Sequence, residues 1–122
     1  VVIALKGGEE TAHIDELRSW VTRLAGSGLL PLFIVMYPAE DMSASKKMCA
    51  QVGGEMIYPA SEKDILWLMC RSDMVCGMRY HALMLASVAG VPFVGFGGEQ
   101  KIRELCASRG GVYYGDLERG AR

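Results

Sequence analysis

Short apolar runs alternate with amphipathic segments along the whole chain, and this alternation restricts the fold more than any other feature. Six runs are largely apolar and too short for helices: Val1–Leu5, Leu30–Met36, Glu55–Tyr58, Met74–Gly77, Pro92–Phe96 and Val112–Tyr114. A strand that is apolar on both sides must be covered on both sides, which is the situation in a parallel sheet. The pattern therefore predicts an α/β fold, with a mostly parallel sheet of about six strands and helices on both faces.

The amphipathic segments between these runs predict the helices. In the first of them, apolar residues recur at helical spacing: Ile14, Leu17, Val21 and Leu24. The expected helices are His13–Ala25, Ser43–Val52, Ile65–Arg71, Arg79–Ala89 and Gln100–Arg109. Such a doubly wound, Rossmann-like sheet binds ligands at the carboxyl ends of its strands. The loops expected there are Lys6–Glu10, Pro38–Asp41, Pro59–Ala60, Gly77–His81 and Gly97–Lys101.

Length and composition restrict the class of protein. With 122 residues, positions 1–122 are expected to form a single domain, with a frayed tail over 118–122. The net charge of −1 offers no basic stripe, so we expect no nucleic-acid partner. No apolar run reaches the ~20 residues that span a bilayer, and no signal peptide is evident. Four cysteines without a Cys-x-x-Cys pair, most of them in apolar stretches, favour reduced and buried thiols, and hence a cytoplasmic location.

The chain begins inside a strand-like run, at Val1, without a methionine. A natural protein seldom starts in the middle of a strand. We therefore expect this sequence to be a piece of a longer protein, cut at a domain boundary.

The segment Ser72–Ala86 carries the most functional information. It reads as a buried strand, a turn at Gly77, and a helix whose beginning carries Arg79 and His81. Unpaired N–H groups and the positive end of the helix dipole make such a helix start suitable for an anion. A guanidinium matches carboxylate or phosphate, and an imidazole exchanges protons near neutral pH. The segment therefore predicts anion binding combined with acid–base chemistry.

Whether Arg79 and His81 act together depends on where the helix begins. Two residues apart on a regular helix, they would point about 200° apart. They converge only if Arg79 lies in the turn and His81 in the first helical turn. In the alternative, Arg79 pairs with Asp73 or Glu99, and His81 only caps the helix.

A glycine-rich loop after the fifth strand forms a second candidate element. Gly97 and Gly98 would allow the backbone to approach a ligand closely, and Lys101 would begin the next helix near the same anion. The alternative is a plain loop with a solvated lysine. Neither this loop nor Lys6–Gly8 matches the dinucleotide or P-loop fingerprints. The run Ser61–Asp64 is interpreted as a solvated helix start, and no metal site is expected.

These residues resemble the polysaccharide pyruvyl transferase family, and within it the cell-wall (CsaB-like) branch. The resemblance rests on Ser72–Leu83, on Ala89–Gly95 with its Gly-Val-Pro sequence, and on Lys101, within a match over about residues 59–106. Tyr80 stands where the family usually has leucine. The segment Gly97–Gln100 replaces a more common Tyr-Asp-x segment.

The resemblance implies a two-domain GT-B enzyme, of which this chain would be the C-terminal half, partnered by the N-terminal domain. It implies phosphoenolpyruvate as donor substrate, a glycan or lipid-linked sugar as acceptor, and no further cofactor. The family's arginine and histidine fall on Arg79 and His81, which are the expected catalytic residues. The expected substrate-binding residues are Gly77, Arg79, Tyr80, His81, Gly97, Gly98 and Lys101. Any association with the membrane, at its inner face, is expected to be peripheral and through the acceptor.

The mechanism expected from the resemblance is pyruvyl transfer that forms a cyclic ketal. Arg79, the helix start and Lys101 would hold the anionic donor, and His81 would supply a proton. The base that accepts the hydroxyl proton is not evident in the sequence. Two other functions stay open: a GT-B glycosyltransferase or epimerase that uses a nucleotide sugar, and a non-enzymatic flavodoxin-like binding or receiver module. A receiver needs acidic residues directly after its first strand, where this chain has Lys6–Gly8.

Overall fold

A computed structural model describes residues 1–118 of the chain. Its strands are β1 (Val2–Ala4), β2 (Leu32–Ile34), β3 (Glu55–Ile57), β4 (Val75–Gly77), β5 (Phe93–Gly95) and β6 (Val112–Tyr113). Its helices are α1 (Thr11–Gly26), α2 (Pro38–Val52), α3 (Glu62–Cys70), α4 (Tyr80–Ala89), α5 (Gln100–Arg109) and α6 (Tyr114–Glu118). The predicted fraying concerns positions 119–122, which lie outside the described residues, whereas Glu118 ends α6.

The six strands form one sheet in the order β3-β2-β1-β4-β5-β6, and every neighbouring pair is parallel. This is the strand order of the Rossmann fold, so the predicted fold class is confirmed. A flavodoxin-like sheet has the order 2-1-3-4-5 and does not match. Successive strands are added toward one edge of the sheet from β1 to β3 and toward the other edge from β4 to β6. At this switch point, between β1 and β4, a crevice opens at the carboxyl ends of the strands.

Apolar side chains cover both faces of the sheet. On one face, Val2 and Val75 pack beneath α3, α4 and α5, through residues such as Leu83. On the other face, Ile3 packs beneath α1, α2 and α6, through residues such as Leu17. The neighbours Val2 and Ile3 are both fully buried, as strands covered on two sides require. No helix among residues 1–118 is long and apolar enough to cross a membrane.

The predicted starts of α1, α2, α3 and α4 all differ from the structure, and the error at α2 affects the site. The sequence predicted a loop over Pro38–Asp41 and a helix from Ser43, but α2 begins at Pro38. Proline suits the first helical position, because its missing N–H would have no partner there and its φ is already helical. Asp41 therefore lies in the first turn of a helix. The helix predicted over Arg79–Ala89 begins one residue later, at Tyr80, because Arg79 is extended and precedes the first turn of α4.

The cysteine prediction is correct only in part. All four cysteines are free thiols, and Cys76 and Cys106 are buried. Burial raises the pKa of Cys76 to about 12, which keeps that thiol protonated and unreactive. Cys70 is exposed at the end of α3, where the apolar run in the sequence indicated burial.

Candidate functional site

A cavity of about 180 Å³ lies at the carboxyl ends of β1, β4 and β5, beside the crevice that the strand order creates. Its lining combines three cations, an imidazole, a carboxylate, two tyrosines and a methionine: Lys6, Tyr37, Met78, Arg79, Tyr80, His81, Glu99 and Lys101. We call it the cationic cavity. Four of the predicted site residues line it, namely Arg79, Tyr80, His81 and Lys101.

Arg79 is the most firmly held side chain of this cavity. Its Nε lies 3.0 Å from Asp41 Oδ2, and its Nη2 lies 2.6 Å from Asp41 Oδ1, so the guanidinium is held by two parallel hydrogen bonds. Nη2 also donates to Glu40 Oε1 at 3.4 Å. The guanidinium carbon lies 4.5 Å from the centre of the Tyr37 ring. The alternative pairing with Asp73 or Glu99 is therefore wrong, because the partners of Arg79 come from α2.

Asp41 links the two loops of the crevice. Its side chain is fully buried, and its Oδ1 accepts a hydrogen bond of 2.9 Å from the N–H of Gly7 as well as the bond from Arg79. A Cβ at Gly7 would lie 1.7 Å from the Glu40 carbonyl oxygen, so only glycine allows α2 to approach the β1 loop this closely. The buried carboxylate therefore fixes the loop after β1, the start of α2 and Arg79 relative to one another.

The ion pair also decides the charge state of Arg79. Burial disfavours the charged guanidinium, but hydrogen bonds and charge interactions with Asp41, and then Glu40, outweigh burial and raise the pKa of Arg79 above its ordinary value. Arg79 is thus a permanent cation. Its side chain keeps 14% of its surface exposed toward the cavity, so the cation is also accessible to a ligand.

His81 lies in the first turn of α4 and lines the same cavity as Arg79. The condition for the two residues to act together is met, since Arg79 precedes the helix and His81 lies within its first turn. The imidazole does not cap the helix: its Nε2 forms a hydrogen bond with Oε2 of Glu62 on α3. Glu62 lies in the first turn of α3 with 61% of its side chain exposed, as the predicted solvated helix start requires, and it also contacts His81.

On the opposite side of the cavity, Glu99 lies between two lysines. Its carboxylate forms an ion pair with Lys6 and lies 3.7 Å from Lys101 Nζ. The hydrogen bond from Lys6 lowers the pKa of Glu99, and the charges of Lys6 and Lys101 add to the effect. Lys101 is 64% exposed, with its ammonium 5.3 Å from the centre of the Tyr80 ring. This side of the cavity is solvated and adjustable.

The three predicted glycines lie near the cavity but not in its lining. Gly77 is the buried last residue of β4. Gly97 has φ +102°, a backbone conformation that favours glycine, and its carbonyl accepts a hydrogen bond from the Tyr113 hydroxyl. Gly98 is exposed next to His13. Their role as ligand contacts stays a prediction, since the structure shows them shaping the loops after β4 and β5.

Sequence reasoning missed three residues that complete the site: Tyr37, Asp41 and Glu62. The Tyr-Pro pair at 37–38 is a helix-start signal that would have placed Asp41 in the first turn of α2. Nothing in the local sequence indicates that Glu62 meets His81, because α3 and α4 pack together only in the folded chain. Residues 1–118 bring together no three His, Cys, Asp or Glu side chains that could hold a metal ion.

Comparison with known families identifies the family of this chain. The family model for polysaccharide pyruvyl transferases matches residues 5–100. This chain belongs to the polysaccharide pyruvyl transferase family. The match is wider than the 59–106 recognised from motifs, because it includes the β1 loop and Asp41 as well as Arg79 and His81. It ends at Gln100, directly before Lys101.

Similarity to solved structures supports the fold of this pyruvyl transferase domain. A crystal structure of an Os79 variant from O. sativa in complex with UDP is 18% identical, with a TM-score of 0.51. The alignment covers 92% of this chain and 27% of that chain, so this domain spans about a quarter of Os79. At this identity the likeness shows only that both contain a Rossmann-like sheet. No curated protein matches the sequence significantly.

Proposed function

We propose that this domain binds the donor in an enzyme that transfers pyruvate from phosphoenolpyruvate to a sugar of a cell-wall or exported polysaccharide. The observation that carries the proposal is the cationic cavity, in which Arg79 and His81 share one lining with Lys6 and Lys101. Membership of the pyruvyl transferase family supports this reaction class.

The cavity suits a small, highly charged donor. Phosphoenolpyruvate carries a carboxylate and a phosphate on three carbons. Binding sites for drug-sized ligands have volumes of roughly 300–1,000 Å³, so a cavity of about 180 Å³ fits a smaller molecule. We infer that Arg79 binds one anionic group at the start of α4, where N–H groups and the helix dipole add to its charge. Lys6 and Lys101 are the cations for the second group.

In the structure each cation of the cavity already has a carboxylate partner. Asp41 is buried against Arg79 and cannot leave without losing its partners. Glu99 keeps 29% of its side chain exposed and lies directly before α5. We therefore expect the donor to displace Glu99 and to pair with the two lysines that Glu99 holds. Arg79 would use its exposed edge while Asp41 keeps it in place.

The chemistry requires one positioned acid. A proton is added to C3 of phosphoenolpyruvate while a sugar hydroxyl attacks C2 and loses its own proton. The C2–O bond to phosphate then breaks, and a second hydroxyl closes the ketal at C2. The two hydroxyl protons end on C3 and on the departing phosphate, so the reaction balances. His81 is the proposed acid, because its imidazole borders the cationic cavity beside Arg79.

The rest of the enzyme belongs to the same proposal. We infer that this chain is the C-terminal half of a two-domain GT-B protein, with the acceptor closing the cleft from the N-terminal domain. The protein would act in the cytoplasm, where phosphoenolpyruvate is made, and would meet a lipid-linked acceptor at the inner face of the membrane. No metal or additional cofactor enters this scheme.

The two histidines of the chain allow a controlled test of the proposal. The full-length protein would be incubated with phosphoenolpyruvate and candidate acceptors, and phosphate release and ketal formation followed by NMR. We expect His81→Gln to lower turnover by about 10²-fold or more, while phosphoenolpyruvate binding changes little. His13→Gln is the control, because His13 pairs with Glu16 outside the cavity. Full turnover by His81→Gln would contradict the acid role.

A second candidate is a GT-B glycosyltransferase or epimerase that uses a nucleotide sugar. The observation in its favour is the likeness in fold to Os79, which was crystallised with UDP. The same helix start would then hold a diphosphate. Titration of the protein with phosphoenolpyruvate and with UDP separates the two candidates: we expect saturable binding of phosphoenolpyruvate, and tighter binding of UDP would favour the second candidate.

A further inference from the structure

A second cavity, of about 310 Å³, lies on the other side of His81. His81 and Tyr37 line both cavities. The other residues of this second lining come from the ends of β2 and β3 and from the start of α3: Val35, Met36, Pro59, Ala60, Ser61, Glu62 and Ile65. We call it the Glu62 cavity. Its position means that a molecule bound there lies next to one bound in the cationic cavity, with the imidazole between them.

The lining of the Glu62 cavity is apolar and acidic, whereas the lining of the cationic cavity carries three cations. It contains no lysine or arginine, and its carboxylate is that of Glu62. An anion would be repelled, so this cavity does not suit a second phosphate. Val35 and Ile65 supply a buried apolar wall, and Glu62 and Ser61 supply hydrogen-bonding groups at one edge. An apolar wall with a few polar groups matches a neutral ring with a C–H face and hydroxyl groups around its edge.

We propose that the Glu62 cavity binds the hydroxyl-bearing ring of the acceptor sugar, and that Glu62 accepts the proton of the attacking hydroxyl. The proposal rests on pyruvyl transfer from phosphoenolpyruvate as the proposed function. It supplies the base that the sequence did not reveal. Glu62 is suited to the role because one of its carboxylate oxygens contacts His81, and among residues 1–118 it makes no other hydrogen bond.

Glu62 and His81 together account for the protons of the reaction. The hydroxyl oxygen bonds to C2 as its proton passes to the Glu62 carboxylate. Because Nε2 of His81 is bonded to Glu62, the imidazolium gives its Nδ1 proton to the electrons of the C2=C3 double bond, and C3 becomes a methyl group. The departing phosphate takes the proton from Glu62, and the second hydroxyl returns a proton to Nδ1 as it closes the ketal, so both groups are restored.

The binding part of the proposal is tested without turnover. Saturation-transfer NMR with the methyl glycosides of glucose, galactose and mannose would report binding of neutral sugars. Ala60→Trp fills the cavity from an exposed position, and Ala107→Trp makes the same change at an exposed position of α5 outside it. We expect wild type and Ala107→Trp to saturate at least one glycoside, and Ala60→Trp to lose at least about five-fold of the signal. Equal signals from the two variants, or none from wild type, would overturn the proposal.

The proton-transfer part is tested with Glu62→Gln in the full-length enzyme. Glutamine keeps the size and hydrogen-bonding capacity of the side chain but cannot take a proton, so glycoside binding should change by no more than about three-fold. Turnover should fall by about 10²-fold or more, whereas Glu16→Gln, which alters the pair with His13, should match wild type. Wild-type turnover by Glu62→Gln would overturn this part.

Failure of this proposal differs from failure of the proposed function. If the wild-type protein binds phosphoenolpyruvate but no glycoside, the assignment of the Glu62 cavity is overturned and the donor site stands. If it binds a glycoside that Ala60→Trp loses, but no phosphoenolpyruvate, the sugar assignment is supported and the donor role is overturned, together with the proton step drawn from it.

Discussion

The two sides of the cationic cavity are built in different ways. On the β1/β4 side, Arg79 is bonded to a fully buried carboxylate, and that carboxylate also accepts the Gly7 N–H. On the β5 side, Glu99 and Lys101 lie on a loop and a helix start, and their side chains are 29% and 64% exposed. The first side is part of the fold, while the second can rearrange around a ligand.

An anion site needs a cation that is held in place before the ligand arrives and cations that can exchange their partner for the ligand, and the two sides of the cavity supply these separately. A guanidinium that is fixed before binding loses little conformational entropy when the ligand arrives. Exposed lysines paired with a carboxylate can exchange that carboxylate for the ligand at small cost, because exposed ion pairs contribute only about 0–1 kcal/mol. We therefore expect changes on the β1/β4 side to affect stability and binding together, and changes on the β5 side to affect mainly binding.

The largest effect is expected at Asp41. Asp41→Ala leaves a partly buried guanidinium without its main partner, and breaking a buried ion pair in this way costs about 3–5 kcal/mol. Glu40→Ala is the matched control, because Glu40 bonds to the same arginine from a 62% exposed side chain, and a loss below about 1 kcal/mol is expected. Urea unfolding of both variants measures the difference. Equal losses would contradict the role of the buried Asp41 carboxylate in holding Arg79.

A smaller loss of stability is expected from Gly7→Ala. The added methyl would overlap the Glu40 carbonyl, so α2 must move away from the β1 loop, at a cost of about 1–3 kcal/mol. Gly26→Ala is the control, since a Cβ there meets no atom within 4 Å and Gly26 is helical. Thermal unfolding should show a lower Tm for Gly7→Ala and an unchanged or higher Tm for Gly26→Ala. If Gly7→Ala is as stable as wild type, the close approach of α2 does not hold Asp41 in place.

The smallest effect is expected at Glu99. Because its pKa is lowered in the folded state, its contribution to stability is complete above the ordinary glutamate range and is lost as the pH falls through the lowered value. The Tm difference between wild type and Glu99→Gln should therefore be small near neutral pH and disappear as the pH falls through the lowered pKa of Glu99. The same variant should bind phosphoenolpyruvate about two- to three-fold more tightly, since the lysines are no longer occupied. Weaker binding would show that Glu99 helps to hold the donor.

The sequence predicted the fold and half of the site for physical reasons that are local. Strands apolar on both faces require a parallel sheet, and the turn at Gly77 places Arg79 and His81 at the beginning of a helix. The partners of those two residues could not be predicted in the same way. Asp41 and Glu62 come from α2 and α3, and their contacts depend on how those helices pack at the end of the sheet.

The wrong start predicted for α2 explains why the contact between Asp41 and Arg79 was not predicted. As a loop residue, Asp41 would be a solvated carboxylate, which is the usual state of an aspartate. As a residue of the first helical turn, directed inward over the β1 loop, it becomes the fully buried partner of Arg79. The alternative in which Arg79 pairs with Asp73 or Glu99 is wrong for the same reason, since the partner of Arg79 lies on α2.

Titration of the protein with phosphoenolpyruvate, comparing Arg79→Gln with Arg18→Gln, tests the donor site most directly. Arg18 is the matched control, because it also pairs with a carboxylate, Asp15 at 2.7 Å, but lies on α1 outside the cationic cavity. Calorimetry should show saturable binding to wild type and Arg18→Gln, and an affinity at least about ten-fold lower for Arg79→Gln, the loss of about 1.4 kcal/mol or more expected for a charge-assisted contact. Equal affinities for the two variants would contradict the assignment of Arg79 to the donor.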